Sequence, residues 1–434
     1  MGGTPRPLVG IMSLYGRHSA ASRWNYEFVG AALRGRPSLE IMRGRSLGNE
    51  DGRPRSAAPT DMRELLLCCA RTSAKASRLR ELAAKNIDWE YLFLLARRHS
   101  VVPLVYLQLE KHAADLVPAE HLQKLKQNYI ENSARNVVLT DELRRLVTLF
   151  AASGIEAIPY KGPVLALFAY GDLTLRRFVD LDVIVKRSDV LKARQILLAQ
   201  GYTPSKALSL TQQELLLRTQ HNMQFSRDNG QSIVELHWEV APSLFASTVN
   251  ADNLWHNLIT IKIHGTQFKS LSPDDLLFSL CVHGSRHLWE RLAWICDVAE
   301  LITRHNFDWT TLLKRAATAD SERMFLLGLH LAHVLLDAPL PDDVKRRCES
   351  DERLQSLADN VVEHLFNGTT PVPATSREIF KYNIGVRKTL AARARYVVYM
   401  LRPTDSDLSR RSFPSHLSFI YYLMRPLRLL RPKI

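Results

Sequence analysis

The chain is 434 residues long, 46% hydrophobic and +14 at pH 7; it has room for two or three domains with substantial cores, and no apolar run approaches the roughly 18 to 20 residues that cross a bilayer. The charge sits at the ends: residues 1–61 carry nine arginines against five acids, and residues 387–434 carry eleven basic against two acidic residues. The middle is therefore nearly neutral, which argues against a large nucleic-acid footprint, and five cysteines without a zinc spacing point to a reduced, cytoplasmic setting.

Residues 1–60 are rich in Gly, Pro, Ser and Arg and lack an apolar period. They read as disordered, or as an over-extended N-terminus with the folded protein starting near Met62. Residues 61–153 have a helical pattern, in which Leu122, Leu125, Tyr129, Leu139, Leu143, Leu146 and Phe150 form a stripe and Gly154 a stop. This helical region is expected to pack against a sheet.

Residues 154–270 read as an α/β core. A strand Ile155–Tyr160 leads through Lys161-Gly162 into a helix Val164–Tyr170, and a second strand spans Val179–Lys186. A helix Asp189–Gln200 follows, with Ser188 as its cap, then a helix Thr211–Arg218. His221–Arg227 and Ser232–Val240 alternate around Asp228-Asn229-Gly230, a strong hairpin turn. Residues 271–403 are again helical, opening at Ser272-Pro273, with Pro at the first helical position. Residues 404–434 form a basic amphipathic tail that suits an anionic membrane surface, the protein's own body or a partner protein.

Alternation along a strand puts Asp180 and Asp182 on one face and Val179, Leu181 and Val183 on the other. Two neighbouring carboxylates in an apolar run repel each other and call for a cation. Mg²⁺ or Mn²⁺ fits, completing its shell with water and substrate phosphates. Glu235 and His237 share a face of the second hairpin strand, which makes Glu235 the candidate third carboxylate; His237 either supports a ligand or fills a polar niche. Lys161-Gly162 stands where a strand opens into a helix, a phosphate-binding arrangement in type. His283, His287 and Arg291, spaced i, i+4 and i+8, share one helical face, and HGSRH lacks the glutamate of a zinc-protease motif. Asp297 and Arg291 are a candidate structural ion pair.

The stretch KGPVLALFAYGDLTLRRFVDLDVIV, the later ELHW and the segment HGSRHLWERLAW together resemble the nucleotidyltransferases of the DNA polymerase beta superfamily. Within it they resemble a bacterial family of uncharacterised nucleotidyltransferases; abortive-infection nucleotidyltransferase toxins share a related Lys-Gly and DxD layout. The resemblance implies an α+β fold: a polymerase-beta-like core with a small mixed sheet, flanked by N-terminal and C-terminal helical regions. It implies transfer of a nucleoside monophosphate from an NTP to a hydroxyl of an unknown acceptor: protein, sugar, small molecule or RNA. Asp180, Asp182 and Glu235 would be the catalytic, metal-holding residues, and Lys161, Gly162, Arg176, His283, His287 and Arg291 would serve the nucleotide. Two positions depart from the pattern: Gly162 is followed by Pro163 rather than Ser or Gly, and Glu235 stands where Asp is common. The alternative is a non-catalytic nucleotide-binding accessory or scaffold protein of a biosynthetic cluster. The expected location is the cytoplasm, or the periphery of the inner membrane through the basic tail.

Overall fold

A computed structural model describes residues 60–246, 251–263, 265–369, 374–409, 413 and 417–430, all within one compact unit. The reading of the N-terminal segment as disordered lies outside the described residues, as do parts of the basic tail.

Five short strands make a mixed sheet: β1 (Ala157–Pro159), β2 (Leu181–Val185), β3 (Thr203–Pro204), β4 (Asn222–Arg227) and β5 (Ser232–His237), in the order β1-β2-β5-β4-β3. The expected hairpin is there. Asp228, Asn229 and Gly230 adopt φ of 54°, 54° and 85°, conformations that Asp, Asn and Gly tolerate best, and they fold β4 back antiparallel on β5. β2 then joins β5 in parallel, with Asp182 opposite Glu235 and Ile184 opposite His237. A further hairpin, β6 (Ile259–Ile263) and β7 (Thr266–Ser270), lies beside β1, and Ser270 Oγ donates to the Pro159 carbonyl at 2.8 Å.

Period-2 alternation gives the sheet two unlike faces. Leu181, Val183, Val185, Phe225, Val234 and Leu236 are fully buried on one, against the helices Ala119–Ala152 and Val190–Ala199; each such side chain contributes about 1.5–3 kcal/mol. The other face carries Asp182, Glu235, His237, Asn222 and Gln224, with Ile158, Tyr160 and Ile184 joining the core of the helical body.

The N-terminal helices are not all on the sheet as expected. Only Ala119–Ala152 covers it; Thr60–Cys69, Ala76–Ala83, Trp89–Arg98 and Val102–His112 share a core with the C-terminal helices Pro273–Arg286, Leu292–Arg304 and Glu322–Leu336. Width explains this: five strands span roughly 24 Å and a packed helix roughly 10 Å, so two helices fill the apolar face. Thr72 ties the two helical groups together, donating its N–H and hydroxyl to Glu300 at 2.7 and 2.6 Å.

Two local expectations change. Ser188 does not cap the next helix; a 3₁₀ turn Arg187–Asp189 intervenes, and Asp189 stands at the N-cap position without a side-chain bond. The tail helix Ile420–Leu430 docks on the protein's own body: Tyr421 is buried, and its hydroxyl accepts from Gln212 Nε2 at 3.0 Å and from the Phe413 N–H at 3.3 Å. No helix among the described residues is long and apolar enough to cross a membrane.

Candidate active site

Gly162 is the pivot of the site. It follows Tyr160-Lys161 at φ 54°, ψ −125°, a conformation that strains any side chain, and a Cβ there would stand 3.4 Å from the Asp180 carbonyl oxygen. The turn out of β1 thus passes close to the strand that carries the acids. Pro163 starts the helix at a position whose N–H is not needed.

Asp182 is buried and accepts from Lys161 Nζ at 2.9 Å, while His237 Nε2 lies 3.1 Å from the same oxygen. His237 Nε2 also lies 3.2 Å from Glu235 Oε2, to which Asn222 Nδ2 donates at 3.0 Å. Asp180 sits just before β2 and is partly exposed. Three carboxylates therefore face one lysine and one imidazole.

The electrostatics follow from that imbalance. Burial alone would disfavour every charge here. It works against Lys161, and the Asp182 charge outweighs it, so the ammonium holds its proton more tightly than usual. Burial also opposes the Asp182 carboxylate, and Lys161 and His237 outweigh it, holding Asp182 well below the usual range. Glu235 is lowered against burial by its bond to His237, and His237 is raised by both carboxylates. For Asp180 the balance goes the other way: burial first, then the charges of Asp182 and Glu235, push it up to about 7 against the pull of Lys161 and Arg176.

Asp182, Glu235 and His237 each offer a ligand atom, and these atoms all lie within 4.8 Å of one another. Two hard oxygens and one imidazole nitrogen, with Asp180 adjacent, fit a divalent cation. The sequence left His237 between two readings; its ring nitrogen is part of the group.

Other residues that sequence reasoning missed complete the surroundings. Tyr160 meets the His237 ring edge-on, centroids 5.5 Å apart, and His221 packs on its far side at 5.7 Å. Arg286 Nη1 donates to His221 Nε2 at 2.7 Å; burial and that guanidinium hold His221 neutral, well below its usual pKa. Asn222 was findable, since the hairpin register sets it opposite His237. A cleft of about 210 Å³ adjoins Glu235 and Arg286 and is also lined by Asn222, Gln224, Lys206 and Arg194.

Arg176, expected to hold phosphate, has Nε and Nη2 bound to Asp297 at 2.9 and 3.0 Å. Tyr170 donates its hydroxyl to the same carboxylate at 2.8 Å. Nε and Nη2 form one edge of the guanidinium, and Asp297 takes that edge, which ties the loop to the helical body; Asp297 pairs with Arg176, not Arg291. From the long helix, Asn136 Nδ2 donates to the carbonyls of Leu173 and Arg176 at 2.6 and 2.8 Å.

His283, His287 and Arg291 do not share one helical face. The helix ends at Arg286, and Leu288 and Trp289 turn the chain with φ of 54° and 53°. The turn exists because Trp289 is fully buried against Gly284, where a Cβ would come within 2.4 Å of its ring. His283 and His287 stay together, ring centroids 4.6 Å apart and each 5.4 Å from Trp294, while Arg291 begins the next helix with its guanidinium 5.8 Å above Trp294. Both histidines are neutral: burial and nearby cations, Lys161 and Arg286 among them, take His283 well below its usual value and His287 to about 3.

Residues 85–337, more than half of the chain, match the family of uncharacterised nucleotidyltransferases. The chain belongs to that family and is a nucleotidyltransferase. The matched stretch contains the whole carboxylate group, the Lys161-Gly162 turn and the His283–Trp294 segment. A comparison with curated proteins returned no match.

Proposed function

We propose that the chain transfers a nucleoside monophosphate from an NTP to a hydroxyl acceptor at the Asp182–Glu235–His237 group, on a polymerase-beta-like core: the acceptor oxygen bonds to the α-phosphorus in line as the bond from that phosphorus to pyrophosphate breaks, and pyrophosphate leaves. The convergence of Asp182, Glu235 and His237 on one point, with Lys161 beside them, carries this reading. A divalent cation such as Mg²⁺ or Mn²⁺, held by Asp180, Asp182 and Glu235 with His237 in reach, would supply charge neutralisation for the phosphates and a lower acceptor pKa.

The chain's own residues do the rest. Lys161, freed from Asp182 as substrate enters, presents its ammonium to the phosphates. Gly162 lets the backbone approach them, since nothing projects from its Cα. His237 holds the Asp182 and Glu235 carboxylates through Nε2; with a cation on those carboxylates it would release its proton to solvent and offer a neutral ring nitrogen beside them. Glu235 accepts the acceptor's proton at the edge of the 210 Å³ cleft, where Arg286, Lys206 and Arg194 orient the acceptor. The neutral rings of His283 and His287 with Trp294 offer an aromatic wall for the base, with Arg291 above it; Arg176 acts on the nucleotide by fixing the loop before Asp180.

Incubating the protein with each α-³²P-labelled NTP and Mg²⁺ or Mn²⁺, with and without cell lysate, tests this. Label transferred by the native chain and lost in Asp180→Asn/Asp182→Asn is the expected result, and the labelled species identifies the acceptor class. Nucleotide binding without transfer under any condition would overturn it in favour of a binding role.

A further inference from the structure

More than half of the large apolar side chains left exposed among the described residues lie between Ile379 and Leu423. Apart from Phe419 they sit on the helices Ser376–Gly385, Leu390–Leu401 and Ile420–Leu430. On Leu390–Leu401, Ala392 and Tyr396 face the body while Val397, Val398 and Leu401 are exposed, and spacing of i, i+1 and i+4 is a single helical stripe. On the last helix Tyr421 is buried while Tyr422 and Leu423 are exposed, as is Phe419 just before it. The helices touch: Arg425 Nε donates to the Met400 carbonyl at 3.2 Å. Scattered exposed apolar residues need no explanation, but a cluster on neighbouring helices marks a contact surface.

The charge of the same segment says what it contacts. Residues 387–434 hold eleven basic and two acidic residues. Lys388 pairs with Glu322 and Arg395 with Asp320 of the body, Arg425 pairs with Asp407 within the segment, and Arg387 is buried against Phe245; the other seven basic residues of the segment stand against Asp405.

We propose that this C-terminal face seats the enzyme on an anionic lipid surface. The apolar stripes enter the interface, where burial of their side chains is favourable, and basic residues near anionic head groups add electrostatic attraction. A second copy of the chain is the poorer occupant, because joining two such faces sets like charges against each other. The face lies beyond the family-matched stretch, which ends at residue 337, so the inference stands apart from the chemistry proposed above.

The test is co-sedimentation of the full chain with vesicles of phosphatidylcholine alone and of phosphatidylcholine mixed with phosphatidylglycerol. Binding to the mixed vesicles only, weakening as salt rises, is expected. Val397→Asp/Leu401→Asp, and separately Leu423→Asp, should each lower that binding at least about tenfold with the melting temperature unchanged. Equal binding by the Asp variants, or no binding to anionic vesicles, overturns the proposal; self-association of the native chain that the same variants abolish would assign the face to a second copy.

Discussion

Two buried ionic clusters flank the loop from Leu173 to Asp180, and they are built on opposite plans. In the first, Arg176 meets Asp297 through two bonds and Tyr170 adds a third, so charge is matched one to one. In the second, Lys161 and His237 are bonded to Asp182, His237 also to Glu235, and Arg176 acts on Asp180 from nearby, yet Asp180 is left with a raised pKa. The matched pair serves as a latch between the loop and the helical body. A cluster with surplus negative charge suits a cation. The difference separates a latch from a candidate metal site along a single loop.

The comparison breaks most visibly at Asp182. Asp182→Asn should lower label transfer at least about 10³-fold at a modest cost in stability, since Lys161 and His237 lose the carboxylate they share while Glu235 stays beside His237; a collapse in melting temperature would show the cluster to be structural after all. The latch should answer the other way. Asp297→Leu strands the Arg176 guanidinium in the interior, and denaturant titration should report a loss of about 3–5 kcal/mol, most of it recovered on adding Arg176→Met. Loss without recovery would mean that Asp297 acts through Tyr170 instead.

A smaller effect is expected where the histidine segment is shaped. Gly284→Ala forces a methyl against the Trp289 ring and should cost about 1–3 kcal/mol in thermal unfolding; an unchanged melting temperature would show that the Leu288-Trp289 turn yields easily. The smallest expectation concerns pH. His99 accepts the Leu292 N–H at Nδ1 and bonds the Leu365 carbonyl through Nε2, which anchors the start of the helix carrying Asp297. Burial, with Arg98 nearby, lowers its pKa from the ordinary 6.5 to about 3. The unfolded chain binds the extra proton, so this stability is complete above pH 6.5 and is lost toward pH 3, by about 1.4 kcal/mol per pH unit. His99→Gln should flatten that slope in acid denaturation, and a slope that persists would assign it to other groups.

Much of the site was legible because alternation along strands is a local rule. Asp182 and Glu235 follow from the period of VDLDVIV and SIVELHWEV, and the hairpin from Asp-Asn-Gly. What stayed hidden depended on partners far along the chain. Arg176 looked free for phosphate because Asp297, 121 residues later, is invisible to spacing. Arg291 was read onto the face of His283 because helical arithmetic assumes that the helix continues, and the burial of Trp289 ends it. The place of the first helices was missed because sequence gives an apolar stripe without saying which layer has room for it.

One more consequence lies in the parallel pairing of β2 with β5. The two acids meet only because Asp182 stands opposite Glu235 in that ladder. A slip by one residue would turn Asp182 into the apolar layer of Leu143 and Phe150 and bring Leu181 or Val183 to the polar face of the sheet. Burial of an unneutralised carboxylate makes such a slip costly, so the same acid that meets Glu235 also proofreads strand alignment as the sheet assembles. Appearance of tight cation binding during refolding would then mark the moment at which β2 finds its correct partner, later than the formation of the local β4–β5 hairpin.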